Sequence, residues 1–196
     1  MSSLSNKRII LGVTGGIAAY KSAEIIRRLQ DQGAEVRVVM TPAASEFIRP
    51  LTMQALSGYP VHTNLLDSEA EAGMGHIELA RWADLLLIAP ASADFIANMV
   101  HGRADSLLSA VHLATPAKVA VAPAMNQAMW NHPASLANIA VLRERGVTLI
   151  GPEDGLQACG DIGPGRMEQP DGVVSSVSRL FNTGSLAGKK VVITAG

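Results

Sequence analysis

Residues 8–40 read RIILGVTGGIAAYKSAEIIRRLQDQGAEVRVVM. Arg8 to Val13 is apolar after its first residue, the signature of a buried strand. Thr14-Gly15-Gly16 forms a tight turn. A helix then runs to about Gln32, with Ala18, Ser22, Ile25, Ile26 and Leu29 on one face and Gly33 as its stop. Glu35 to Met40 is a second strand. Strand, glycine turn, helix and strand at this spacing make a βαβ unit, so the two strands are parallel with a right-handed crossover. The turn presents backbone N–H groups at a helix start, where anions bind.

The glycines fall at Gly12, Gly15 and Gly16, which is not the G-x-G-x-x-G dinucleotide pattern. The second strand ends in Met40-Thr41, where a nicotinamide enzyme places an acid for the ribose hydroxyl. A generic dehydrogenase is therefore disfavoured and a mononucleotide favoured, the hydroxyl of Thr41 suiting a phosphate monoester. A glycine turn with no ligand is the competing reading.

Outward from this unit, Thr41-Pro42 opens a short helix carrying Phe47 and Ile48, and Pro50 and Gly58 bracket another. Tyr59 to Gly75 reads as irregular, with Asp67, Glu69 and Glu71 as a solvated acidic loop. Leu85 to Ala89 is a third strand, running into Pro90-Ala91-Ser92-Ala93-Asp94, where Ser92 and Asp94 are good helix caps. A helix from about Ala104 to Leu113 precedes a fourth strand, Val119 to Ala122. Ala134 to Arg145 is helical, closed by Gly146, and Val147 to Ile150 is a fifth strand. Gly151 to Pro170 reads as a structureless glycine-rich loop of the kind used for lids and binding. Pro170 to Phe181 is a helix. The expected fold is α/β and Rossmann-like: an open, mostly parallel sheet with helices on both faces. Residues 182–185 form a polar linker, and Leu186 to Gly196 repeats the opening strand and glycine turn in miniature. The expectation is a domain over residues 1–181 and the truncated start of a second α/β domain over 182–196.

Composition limits the function classes. A net charge of −1 and the lack of a Lys/Arg run argue against nucleic acid and acidic membranes as partners. The apolar run Ile9 to Val13 is too short for a membrane span or a signal core. Cys159 is the only cysteine, which excludes an internal disulfide and points to a reducing, cytoplasmic location.

His76, Asn126 and Cys159 stand out, each on a loop at or near a strand end. His76 follows Gly75 before the third strand; a satisfied structural histidine is the plainer reading. His76 and Glu78 lack a third ligand at metal spacing, so no metal site is expected. Asn126 is an amide among apolar neighbours, able to orient a carboxylate or carbonyl; a helix cap is the alternative. Cys159 lies between Ala158 and Gly160, with Asp161 and Arg166 placed to close the loop over an anionic ligand. No Gly-x-Ser-x-Gly elbow supports a serine hydrolase.

Pro123-Ala124-Met125-Asn126-Gln127-Ala128-Met129-Trp130 matches every position of the PxMNxxMW signature of the flavin-dependent cysteine decarboxylases. Gly75-His76 resembles that family's active-site histidine segment. Ala158-Cys159-Gly160-Asp161 with Gly163-x-Gly165-Arg166-Met167 resembles the substrate-clamp loop of the phosphopantothenoylcysteine decarboxylases. Thr14-Gly15-Gly16-Ile17-Ala18 and Pro90-Ala91-Ser92-Ala93 are similar to their FMN-binding turns. The tail resembles the start of the synthetase half of the bacterial bifunctional coenzyme A proteins.

The resemblance implies FMN as cofactor, contacted by Thr14, Gly15, Gly16, Thr41, Phe47, Ser92, Ala93, Asp94 and Ala124. It implies substrate contacts from Met125, Asn126, Ala158 and Arg166. Decarboxylation of 4′-phosphopantothenoyl-L-cysteine is the implied reaction, with His76 handling a proton in the oxidative half, Asn126 holding the carboxylate and Cys159 returning a proton. The implied assembly is a homo-oligomer built from trimers with flavin sites between subunits. Many relatives carry Asn-Thr after Pro-Ala-Ser-Ala, where this chain has Asp94-Phe95; a carboxylate there repels a nearby phosphate. A peptidyl-cysteine decarboxylase that stops at the enethiol, a non-catalytic flavin-binding regulatory subunit and a prenyl-transferring flavin relative are the alternatives. The cysteine loop argues against the first, the presence of all three reactive residues against the second, and the full octapeptide against the third.

Overall fold

The computed structural model describes residues 4–65 and 75–182. Five strands form one parallel sheet: β1 (Arg8–Val13), β2 (Glu35–Met40), β3 (Leu85–Ala91), β4 (Lys118–Pro123) and β5 (Thr148–Leu149). Their spatial order is β2-β1-β3-β4-β5. The chain leaves β1 toward one edge and β3 toward the other. The sheet therefore has its topological switch point between the carboxyl ends of β1 and β3, where α/β folds bind ligands.

Both faces of the sheet are covered, which explains the unbroken apolar strands. In β3, Leu85, Leu87 and Ala89 pack with α1 (Tyr20–Asp31), α3 (Pro50–Ser57) and the last helix, Pro170–Phe181. Leu86 and Ile88 pack on the other side with α4 (His76–Trp82), α5 (Ala93–His101), α6 (Leu107–Ala114) and α8 (Pro133–Glu144). Helix α1 buries Ser22, Ile25, Ile26 and Leu29 as its periodicity predicts. A Cβ at Gly12 would meet Leu108 at 2.6 Å, so that glycine lets α6 approach the sheet.

Several elements differ from the sequence-based expectation. The opening of the first helix is a 3-10 turn, Ile17–Ala19. Helix α2 (Pro42–Ser45) ends before Phe47 and Ile48, which follow in a turn. His76 is the first residue of α4, not a loop residue. Residues 151–170 are not structureless: β6 (Glu153–Leu156) and β7 (Ile162–Arg166) form an antiparallel hairpin. The hairpin escapes notice because its strands, EDGL and IGPGR, carry no apolar alternation; cross-strand pairing and docking against residues 125–127 hold them. After it comes α9 (Pro170–Phe181), as expected. The acidic positions 67, 69 and 71 and the repeat at 186–196 lie outside the described residues.

Candidate functional site

Thr14 joins the two strands at the switch point. Its buried hydroxyl donates to the Pro90 carbonyl at 2.8 Å and accepts from the Ser92 N–H at 2.9 Å. The ends of β1 and β3 are thereby fixed to one another. Ser92 caps α5, its hydroxyl oxygen accepting from the Phe95 N–H at 3.2 Å. Thr41 caps α2 by accepting from the Ala44 N–H at 3.3 Å. A Cβ at Gly15 would meet Ala43 at 2.6 Å, so Gly15 lets α2 close against the turn.

These ends enclose a cavity of about 590 Å³ that brings together Thr14, Gly15, Thr41, Ser92, Ala93, Asp94 and Ala124. Phe95, Met125 and Met129 give it an apolar wall, and no Lys, Arg or His side chain is among its lining residues. An anionic ligand here meets neutral donors and the start of α5, a nine-residue helix with its dipole aimed into the crevice. The Asp94 carboxylate at that helix start accepts from Asn98 Nδ2 at 3.2 Å. Asp105 is held by Arg103 at 2.7 Å.

The hairpin closes a second cavity of about 550 Å³, lined by Gly16, Met125, Asn126, Ala158, Cys159 and Arg166 among others. Ala124 and Met125 line both cavities, so the segment after β4 is their common wall. Asn126 caps α7 (Gln127–Asn131): its Oδ1 accepts from the Ala128 N–H at 2.8 Å. That bond turns the amide nitrogen toward the hairpin tip, where Nδ2 donates to Asp161 Oδ2 at 2.9 Å and to Cys159 Sγ at 3.2 Å. The Cys159 thiol also donates to Asp161 Oδ2 at 3.4 Å. Asn126 thus caps α7 through Oδ1 and reaches the hairpin tip through Nδ2, because the two contacts use different atoms.

Lys21, 5% exposed, donates from Nζ to the Met167 carbonyl at 2.6 Å and pins the hairpin's exit to α1. Burial pushes its ammonium below the ordinary lysine range, and the nearby Arg166 charge adds to that. At the same end, burial pushes the Glu168 carboxyl up, helped by a hydrogen bond with Glu153. Burial also pushes Glu153 up, but hydrogen bonds from Gln169 and Glu168 outweigh it and leave Glu153 below the usual range.

Two residues implied by the resemblance fall outside these cavities: Phe47, 53% exposed, and His76, half-buried at the start of α4, line neither. Gly16 lines the second cavity and not the first. The sequence reading missed Asn98 and Ser106 in the first cavity and Tyr20, Lys21 and Gln157 in the second. Tyr20 and Lys21 open α1 one 3-10 turn after the glycines, a position that points toward the switch crevice. No comparable signal marks Asn98 or Gln157. Among the described residues, no cluster of three His, Cys, Asp or Glu side chains is placed to hold a metal, and no helix is long and apolar enough to cross a membrane.

A family model described as Flavoprotein matches residues 1–182. Across its whole length the chain is 57% identical to the coenzyme A biosynthesis bifunctional protein CoaBC of Vibrio vulnificus, covering 49% of that protein. The chain thus spans about half the length of the curated relatives it matches. A cysteine-to-serine mutant of PPC decarboxylase, complexed with pantothenoylaminoethenethiol, is similar with a TM-score of 0.78 and 35% identity, over 90% of this chain and 98% of that one. The FMN-dependent cysteine decarboxylase SpaF is similar with a TM-score of 0.79 and 32% identity, over 92% of this chain and 99% of that one.

Proposed function

Since the chain belongs to the flavoprotein family, we propose that it is an FMN-dependent carboxy-lyase converting 4′-phosphopantothenoyl-L-cysteine to 4′-phosphopantetheine in coenzyme A biosynthesis. The observation that carries this is the Asn126 amide holding a carboxylate, that of Asp161, at 2.9 Å, with the Cys159 thiol 3.2 Å from the same nitrogen. A decarboxylase of this type must hold a carboxylate and then protonate the carbon it leaves. The group that binds the carboxylate and the acid must therefore be neighbours.

The first cavity suits FMN: an apolar wall for a flat ring, and a helix start with hydroxyl donors for a phosphate monoester. Thr14, Gly15, Thr41, Ser92, Ala93, Asp94 and Ala124 would hold it there, with Gly16 on the adjoining side. The hydrogen bond from Asn98 occupies one oxygen of Asp94 and orients that carboxylate along α5. When bound, FMN supplies the acceptor, and later the donor, of the hydride that oxidises the substrate thiol to a thioaldehyde and reduces it again.

The chain's own residues do the rest. The Asn126 amide exchanges the Asp161 carboxylate for the substrate's and orients it for loss of CO₂. The thioaldehyde one carbon away accepts the electrons, giving an enethiolate. The Cys159 proton is delivered to the carbon that lost CO₂. Met125 and Ala124 keep the shared wall apolar and water away from the reacting sulfur. Arg166 and Ala158 line the substrate side.

His76 and Phe47 belong to this proposal through assembly. In trimers with flavin sites between subunits, Phe47 and His76 would face a neighbour's cavity rather than their own chain's. The exposed Ile17, Tyr20, Phe47 and Leu51 are apolar surface of the kind such an interface covers. The division into a decarboxylase domain over residues 1–181 and the opening of a synthetase domain from 182 is also proposed, supported by the half-length match to bifunctional relatives. So is a cytoplasmic location, where coenzyme A precursors are soluble metabolites. Substrate labelled in the cysteine carboxyl tests the reading. Labelled CO₂ is expected from the FMN-loaded protein, and its absence sinks the enzyme and favours a flavin-binding regulatory subunit.

A further inference from the structure

Gln157 stands where β6 passes into the hairpin tip, and its hydrogen-bonding groups tie three parts of the site. Its Oε1 accepts from the backbone N–H of Gln127 at 2.9 Å, and its Nε2 donates to the Pro164 carbonyl of β7 at 3.1 Å. Its backbone N–H donates to the Asp161 carbonyl at 2.8 Å, and its carbonyl accepts from the Gly160 N–H at 2.9 Å. One residue therefore bonds the helix that Asn126 caps, the opposite strand and the turn that carries Cys159 and Asp161.

The bond to Gln127 has a clear origin. The first N–H groups of a helix have no partner inside it. Asn126 satisfies the N–H of Ala128, and Gln157 satisfies that of Gln127. Beside it the Met125 N–H donates to the Gly165 carbonyl at 2.9 Å. A Cβ at Gly165 would lie 2.5 Å from the Met125 carbonyl oxygen, so the backbones are in close contact. An amide side chain carries its acceptor and its donor on two different atoms, so Gln157 accepts from the helix start through Oε1 while Nε2 donates to the strand across the hairpin.

We infer that Gln157 is a positioning residue for the proton-return step: it latches the hairpin tip to α7 so that Cys159 stays beside Asn126. The inference rests on the decarboxylase reading. Its consequence is asymmetric. Thiol oxidation and CO₂ loss depend on the flavin cavity and on Asn126, which β4 and its own cap hold. Protonation depends on Cys159, whose backbone the hairpin tip carries and whose thiol reaches Asn126 only while the tip stays in place. Loosening the latch therefore lets the enethiol escape before it is protonated, two hydrogens short of the normal product; its two electrons pass from the flavin to O₂.

Gln157→Met keeps the length and removes both side-chain bonds. Gln157→Glu keeps the acceptor for Gln127 and loses the donor to Pro164. Each FMN-loaded variant is incubated with 4′-phosphopantothenoyl-L-cysteine in air, and both products are quantified by mass spectrometry. Alkylation of Cys159, the only cysteine, is timed in parallel without substrate. The unsaturated share should rise about tenfold in Gln157→Met, with total CO₂ release changed far less, and alkylation should quicken. Gln157→Glu should fall between wild type and Gln157→Met on both measures, and it carries the test alone if Gln157→Met does not fold. A product ratio equal to wild type, with both products falling together, overturns the positioning role. A wild type that releases no CO₂ overturns the decarboxylase reading and this inference with it.

Discussion

Replacing Asn126 with aspartate exchanges one NH₂ group for a carboxylate oxygen and leaves the side chain's shape intact. The cap on α7 survives, because aspartate accepts the Ala128 N–H as asparagine does. What changes is the other side. The amide nitrogen sits 2.9 Å from an oxygen of the Asp161 carboxylate, so the variant sets two like charges at that spacing. Coulomb's law gives a repulsion of about 1.4 kcal/mol at the dielectric constant of water and about 6 kcal/mol at an effective constant of 20. Cys159 and Asp161 are exposed, so the lower end governs, about 1–2 kcal/mol. That moves the tip and its thiol away without unfolding the domain. The incoming substrate carboxylate meets the same repulsion and loses its donor. CO₂ release should fall by at least about a hundredfold, the scale seen when a donor to a developing charge is removed. The FMN-loaded variant should keep its flavin absorbance and lose only slightly in thermal midpoint. A colourless variant would put Asn126 in the flavin cavity, and undiminished CO₂ release would show that its amide does not hold the carboxylate; either result refutes the assignment.

Cys159→Ser should still oxidise and decarboxylate the substrate in air but accumulate the product two hydrogens short, read by mass spectrometry; normal saturated product would remove Cys159 from the reaction. Gly165→Ala should cost about 2–4 kcal/mol in denaturant unfolding, because its φ is +118° and a Cβ would lie 2.5 Å from the Met125 carbonyl oxygen; a shift below about 0.5 kcal/mol would show that the hairpin yields freely there. His112 on α6 is held below its ordinary value of 6.5, first by burial and then by the positive charge of Arg145. The native state thus binds fewer protons than the unfolded chain just below that value, so stability falls as pH drops through it and levels off below the native value. Urea midpoints at about pH 7.5 and about pH 5.5 should differ less in His112→Gln than in wild type, and an unchanged difference would remove His112 as the cause.

The sheet could be read from the sequence because its strands are buried on both faces. Runs such as Leu85 to Ala89 have no other plausible environment, and Pro50 with Gly58 punctuates α3 at both ends. The segments that line the first cavity are legible for the same reason, since they follow those strands. Residues whose place depends on where a loop goes were less readable. Phe47 and His76 are near strands in sequence, yet the fold leaves both outside the two cavities. Gly12 looked like part of an anion turn, but its missing side chain makes room for Leu108. Lys21 lies on the buried face of α1 although it is charged, because the Met167 carbonyl, far along the chain, accepts its ammonium. The hairpin is hidden because main-chain pairing and the close contacts of Gly163 with Gln127 and of Gly165 with Met125 define it, rather than a pattern of side chains.

The central claim is that one chain both removes CO₂ and returns the hydrogens. Mass spectrometry of 4′-phosphopantothenoyl-L-cysteine after anaerobic incubation with the FMN-loaded protein tests it most directly. Loss of CO₂ to the saturated thiol is the expected result. Loss of CO₂ with two further hydrogens missing would contradict the proton-return role of Cys159 and place the protein with the oxidative, peptide-type decarboxylases. An unchanged substrate beside a protein yellow with FMN would contradict the decarboxylase itself.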